Sequence, residues 1–126
     1  MYPVFVFGSN EAAIHGAGAA RTARIQHGAS PKISYGLSGN SFAIPTKNQQ
    51  VETLPLGRIE GYVIGFMAFA YGHPEMTFQV TRIGCGLAGY EDKDIASMFS
   101  DSPPNCEFDT AWLPFLGNGY KYWGTF

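Results

Sequence analysis

Val4-Phe5-Val6-Phe7-Gly8-Ser9-Asn10, running on to His15-Gly16-Ala17-Gly18, is a hydrophobic stretch that breaks into a glycine-rich loop. Phe78-Gln79-Val80-Thr81-Arg82-Ile83 followed by Gly84-Cys85-Gly86-Leu87-Ala88-Gly89-Tyr90 does the same. Val4 to Phe7 are apolar without alternation, the pattern of a short central strand buried on both faces. After the first loop the alanine-rich stretch His15 to His27, with Arg21 and Arg24 on a polar side and Gly28 as its C′ residue, predicts a short helix. After the second, Glu91, Asp92 and Asp94 crowd a helix start, and Ile95, Met98 and Phe99 form its apolar face. Placed at the carboxyl end of a parallel strand, such a loop brings backbone N–H groups close to phosphate, with a helix N-terminus behind them. Two of them suggest one ligand with two phosphates, or with a phosphate and a ribose.

The remaining elements follow the same alternation. Residues 28–40 read as loop, with a short extended piece around Ile33 to Tyr35. Ser41 to Ile44 is a second strand, stopped by Pro45. A longer helix begins near Thr53-Leu54-Pro55, with Ile59, Val63, Phe66 and Ala70 at helical spacing, and Gly72-His73-Pro74 ends it. Met76 to Ile83 is the third strand and Asn105 to Phe108 the last, after Ser102-Pro103-Pro104 stops the acidic-headed helix. Strand and helix in turn imply a three-layer α/β/α fold with a mainly parallel mixed sheet, whose ligands bind beyond the strand carboxyl ends. From Asp109 to Phe126 the chain is rich in aromatics: Trp112, Phe115, Tyr120, Tyr122, Trp123 and Phe126. This tail is expected to pack on its own domain or on a neighbouring subunit, the latter making a homo-oligomer.

Composition narrows the classes. A chain of 126 residues, 45% hydrophobic and only 14% charged, is expected to form one domain over 1–126 with a real core. A net charge of −2 provides no field to attract DNA or RNA. No apolar run approaches the roughly 18–20 residues that span a bilayer. Cys85 and Cys106 cannot build a disulfide framework, no secretory signal pattern opens the chain, and a reduced cytoplasm is the expected compartment. Neither a metal site nor a cofactor is indicated.

Taken literally, Gly84-Cys85-Gly86-Leu87-Ala88-Gly89 satisfies the dinucleotide fingerprint G-x-G-x-x-G, with Glu107 and Asp109 where a ribose-binding acid would stand. It comes late in the chain, however, with no second βαβ half beyond it, which disfavours a dehydrogenase. A P-loop is ruled out, because no Gly-Lys-Ser/Thr follows either loop.

The arrangement Gly8-Ser9-Asn10, His15-Gly16-Ala17-Gly18-Ala19-Ala20, Ile44-Pro45-Thr46-Lys47 and Ile83-Gly84-Cys85-Gly86-Leu87 resembles a macrodomain. It is most similar to the small macrodomains of the terminal ADP-ribose protein glycohydrolase type and to small macrodomain-like proteins of bacteria and their phages. The resemblance covers roughly residues 2 to 108 and leaves out the aromatic tail. It implies an ADP-ribose site. Asn10 would reach the distal ribose, and Gly8, Ser9, His15, Gly16, Ala17, Gly18 and Thr46 would line its approach. Gly84, Cys85, Gly86, Leu87, Ala88, Gly89 and Tyr90 would wrap the diphosphate. Lys47 matches the catalytic lysine of the glycohydrolase type, where a buried amine attacks the anomeric carbon. This chain has Ala88 where that type has an aspartate, and it lacks the Gly-Asp-Ile turn with which many macrodomains fix adenine. Either Asp92 or Glu91 replaces the acid, or the domain only binds.

Each of these residues also has a plainer reading. Lys47 is equally a solvated loop lysine, Asp92 a helix-dipole partner, Cys85 a packing residue and His15 a polar residue at a helix start. The expectation is a protein that binds ADP-ribose, a related nucleotide or an ADP-ribosylated protein, with or without hydrolysis of an ADP-ribosyl bond. The alternatives are a non-catalytic nucleotide sensor or sequestering module, of use in phage counter-defence, and a structural assembly protein.

Overall fold

The computed structural model describes residues 2–126. Six strands form one sheet: β1 (Val4–Asn10), β2 (Gly36–Ser38), β3 (Ser41–Lys47), β4 (Phe78–Val80), β5 (Cys106–Asp109) and β6 (Lys121–Gly124). The helices are α1 (Gly18–Gln26), α2 (Leu56–Gly72), α3 (Asp92–Ala96) and α4 (Leu113–Leu116). Strand order is β2-β3-β1-β4-β5-β6. Every pairing is parallel except the β2–β3 hairpin. The molecule is therefore α/β, with a mainly parallel mixed sheet between helices.

The pleat decides what each face buries. Val4, Val6, Phe42, Ile44, Phe78, Val80 and Phe108 point to one face, where they meet Ile59, Val63, Phe66 and Ala70 of α2, Ile95 of α3 and Trp112 ahead of α4. Phe5, Phe7 and Ala43 point to the other and meet Ala20 and Ala23 of α1. The alanines let this one short helix lie close to the sheet.

Several boundaries differ from the sequence expectation, each for a local reason. β3 does not stop at Pro45 but runs through it to Lys47. Proline lacks the ladder N–H, and the β1–β3 register slips between Ser9 and Asn10, opposite Pro45, which is where a strand accommodates one. Thr46 then donates its hydroxyl to the Ser9 carbonyl at 3.3 Å. α1 begins at Gly18 rather than His15, because Gly18 has φ of +57° and His15 turns inward as a buried residue. β4 is shorter than Met76 to Ile83: Thr81 gives both its N–H and its hydroxyl to the Val6 carbonyl, and the chain turns away. The extended piece in the 28–40 loop is Gly36–Ser38, paired back on β3, rather than Ile33 to Tyr35. Its turn requires glycine at 39, where φ is +58° and a Cβ would stand 2.6 Å from the Gly28 carbonyl oxygen.

The strand Cys106–Asp109 is not the last, since the aromatic tail adds β6 beside it. Trp112 is fully buried, and the Trp123 indole donates to the Val80 carbonyl at 2.9 Å. Among the described residues no helix is long and apolar enough to cross a membrane.

Candidate functional site

From β1 the chain passes through α1 to β2 and β3 on one side of the sheet; from β4 it passes through α3 to β5 on the other. The loops after β1 and β4, adjacent parallel strands, therefore leave in opposite directions and open a crevice between them. That is the switch point at which open α/β sheets bind ligands. A cavity of about 460 Å³ lies there.

The first loop supplies Gly8, Ser9, Asn10, Ile14, Gly16, Ala17, Gly18, Ala19 and Ala20 to its wall. The first helical bond of α1 runs from the Arg21 N–H to the Ala17 carbonyl at 3.2 Å. Among the described residues the N–H groups of Gly18, Ala19 and Ala20 consequently have no acceptor, no side chain caps them and no acid stands in the first turn. The second loop supplies Gly84, Cys85, Gly86, Leu87 and Ala88. It is closed by bonds from Cys85 N–H to Arg82, Gly89 N–H to Gly86 and Tyr90 N–H to Gly84, which leave the amides of Gly86, Leu87 and Ala88 free. The two loops meet: a Cβ on Gly18 would lie 3.8 Å from Leu87 Cδ1. Two groups of unpaired amides thus flank one cavity.

The loops are held by bonds that leave the cavity clear. Asn10 donates from Nδ2 to the Ile14 carbonyl at 2.8 Å and accepts the Ile14 N–H on Oδ1 at 2.9 Å, pinning the turn between them. Glu11 turns away to Arg58, at 2.8 Å, and to the Tyr62 hydroxyl, at 2.5 Å. The Tyr62 hydrogen bond above all, with Arg58 assisting, lowers the Glu11 pKa. Thr53 donates to the Ala88 carbonyl at 2.9 Å and Tyr90 to the Leu54 carbonyl at 2.7 Å, fastening the second loop to the segment before α2.

Charge in the cavity is one-sided. Among the described residues Lys47 and Arg82 line it and no Asp or Glu side chain does, in a chain with more acids than bases. Lys47 is half-buried, with no carboxylate in ion-pair reach among the described residues. Asp92 lies outside. Its two oxygens take the Arg82 guanidinium at 2.7 Å each, and Oδ1 also accepts the Trp112 indole N–H at 2.8 Å. The Arg82 hydrogen bonds, first among several causes, hold its carboxyl below the usual value.

Cys85 reaches the cavity as a thiol, not a thiolate: burial foremost pushes its pKa up to about 12. His15 does not line the cavity. It packs edge-on against Phe7 at 5.4 Å, 4% exposed, with no hydrogen-bond partner at either ring nitrogen. Burial first, then the Arg24 guanidinium, lowers its pKa, against a small opposing effect of the Ile33 backbone. Gly89 and Tyr90 support the second loop from behind rather than face the cavity.

The structure adds residues that the sequence reading passes over. Thr81 and Ile83 line the cavity, as does Arg82. So do Ile14, Val51 and Phe126, large apolar side chains that are also exposed, beside Leu87, which the second loop already names. Val51 and Phe126 lie outside both glycine-rich loops. Among the described residues no cluster of His, Cys, Asp and Glu could hold a metal ion. Set against protein-family models, curated proteins and solved structures, the chain finds no significant match.

Proposed function

We propose that this chain binds a nucleoside diphosphate of the ADP-ribose type in the switch-point cleft, as a macrodomain-like protein of a reducing compartment. The observation that carries the reading is the pair of unpaired amide groups, Gly18 to Ala20 and Gly86 to Ala88, on either side of a cavity that no Asp or Glu side chain lines among the described residues. Unsatisfied N–H donors at a helix start and in a tight loop favour negative charge. Two facing sets suit two linked phosphates. Lys47 adds a cation, and both nearby acids, Glu11 and Asp92, are turned outward and engaged by arginine. A cavity of about 460 Å³ falls in the range of small-molecule sites.

A second activity attaches to Lys47. It lines the cleft beside Asn10, where the resemblance places the distal ribose, and its amine is free of ion pairs. Attack on an anomeric carbon would begin there. With Asp92 committed to Arg82 and Trp112, no Asp or Glu side chain among the described residues lines the cleft for proton transfer, which favours binding over turnover.

Titration calorimetry with ADP-ribose tests the reading. Saturable binding that Gly86→Glu abolishes is expected, since a carboxylate there would face the amides; a Cβ at Gly86 has no atom within 4 Å, so the fold should tolerate it. Incubation with mono-ADP-ribosylated protein tests the second activity: release of ADP-ribose that survives Lys47→Ala would dispose of the lysine mechanism.

A further inference from the structure

Four of the chain's 8 Lys and Arg residues fall in one stretch without an acid. From Ala12 to Val51 the sequence holds Arg21, Arg24, Lys32 and Lys47 and not one Asp or Glu, in a chain of net charge −2. Lys47 lines the cleft and the other three are exposed. Among the described residues none of the four has a carboxylate in ion-pair reach, whereas Arg58, Arg82 and Lys93 are each paired with an acid. The fold brings the three exposed cations to the rim of the cleft. Side chains of a helix lean toward its N-terminus, and α1 starts at the cleft wall, where Gly18, Ala19 and Ala20 lie. Arg24 shows the lean directly: its Nε donates to the His15 carbonyl at 3.2 Å, next to Gly16 of the wall. Lys32 arrives by the segment after α1, which returns to the carboxyl end of β1, where Ser9 donates its hydroxyl to the Ser34 carbonyl. Two isoleucines complete the face: Ile14 on the rim, 56% exposed, and Ile25 on α1, 55% exposed.

We propose that this basic and apolar face docks the peptide that carries the ADP-ribosyl group, and that it selects acidic flanking sequence with apolar residues among the acids. The inference rests on the nucleotide reading and adds to it which modified proteins the cleft takes. Arginine matches a carboxylate with two parallel hydrogen bonds, and opposite charge across an interface sets partner choice and encounter rate more than raw affinity. A nucleic acid fits the face less well. Affinity for a phosphate backbone grows with the number of phosphates neutralised, commonly about 6–10, and three exposed cations fall short of that. Nor does a phosphate backbone offer Ile14 and Ile25 an apolar partner.

Calorimetry at low salt tests this with free ADP-ribose and with ADP-ribose joined, through a linkage that resists hydrolysis, to three carriers. These are a peptide flanked by Asp, Glu and Leu, the same peptide with Lys in place of the acids, and an oligonucleotide. The acidic conjugate is expected to bind roughly five- to tenfold tighter than free ADP-ribose, with a gain that shrinks as salt rises. The Lys conjugate gains nothing. Arg21→Glu combined with Lys32→Glu, at exposed positions outside the cleft lining, should turn the preference to the Lys conjugate. Wild-type protein that binds neither ADP-ribose nor any conjugate overturns the cleft reading and the proposal with it. Binding of ADP-ribose with no gain for the acidic conjugate overturns the proposal alone. So does a gain that the charge-reversed protein keeps, or an equal or larger gain for the oligonucleotide.

Discussion

Val51 is a β-branched residue at φ +62°, a left-handed conformation that such side chains rarely adopt. Asn48 enforces it by accepting the Gln50 and Glu52 N–H groups on one side-chain oxygen, each at 2.9 Å. The result is an apolar side chain presented at the cleft mouth. Strain kept at a binding site in this way is a form of preorganisation. Val51→Gly relieves the strain, so thermal melting should show stability unchanged or raised by up to about 1 kcal/mol, while ADP-ribose affinity falls. Gly84 is the opposite case: φ is +73° and a Cβ would stand 3.2 Å from Ile95 Cδ1. Gly84→Ala should cost about 1–3 kcal/mol in urea unfolding, whereas Gly86→Ala should cost far less. His15 supplies a pH dependence. Its ring titrates near about 6.5 in the unfolded chain and lower in the fold, so the native state binds fewer protons. Stability then declines as pH falls below about 6.5 and levels off below the folded pKa. His27, lowered by burial, acts in the same direction. His15→Phe should therefore flatten, without abolishing, the fall in melting temperature between about pH 7 and about pH 5; an unchanged slope would exclude His15 as a source.

At the level of elements, the second loop is only as firm as its anchors. Arg82, Asp92 and Trp112 form one network that joins the end of β4, the start of α3 and the approach to α4. Trp112→Phe would remove the indole donor and leave a cavity among Phe99 and Phe108, costing about 2–4 kcal/mol by urea unfolding. The elements were legible where apolar pattern and punctuation agree. β1 shows as an unbroken apolar run, α2 as Ile59, Val63, Phe66 and Ala70 at helical spacing, and the two loops as glycines at strand ends. What stayed hidden depends on partners distant in sequence. Pro45 inside β3 needs the register slip opposite Ser9, and β6 needs β5 to pair with. Gly84 to Ala88 and Thr46-Lys47 could be read as cleft residues because they follow strands at their carboxyl ends, where such sheets open. Val51 and Phe126 could not, since one is placed by Asn48 and the other by Asp109, through bonds that no local pattern announces. Asp92 reads as a free acid at a helix start until Arg82 is seen to claim it.

On the scale of the whole molecule, the parallel sheet does two things for the site. The connections after the parallel strands β1 and β4 leave in opposite directions and open the cleft, and the helix that follows β1 starts at its wall with its first amides unpaired among the described residues. The charge pattern completes the work: the chain carries −2 overall, yet the charged side chains lining its cleft among the described residues are Lys47 and Arg82. Attraction of an anion into such a cleft is expected to weaken with salt, though less than for an exposed patch. Nothing in this arrangement needs a second subunit, because both loops, Lys47 and Phe126 come from one chain. The central claim is that the facing amides of Gly18 to Ala20 and Gly86 to Ala88 hold a diphosphate. Calorimetry of ADP-ribose against the wild-type protein and a folded Gly86→Glu variant tests it most directly. The account predicts saturable one-to-one binding that is lost in the variant; no binding at millimolar ligand, or equal binding by both proteins, would contradict it.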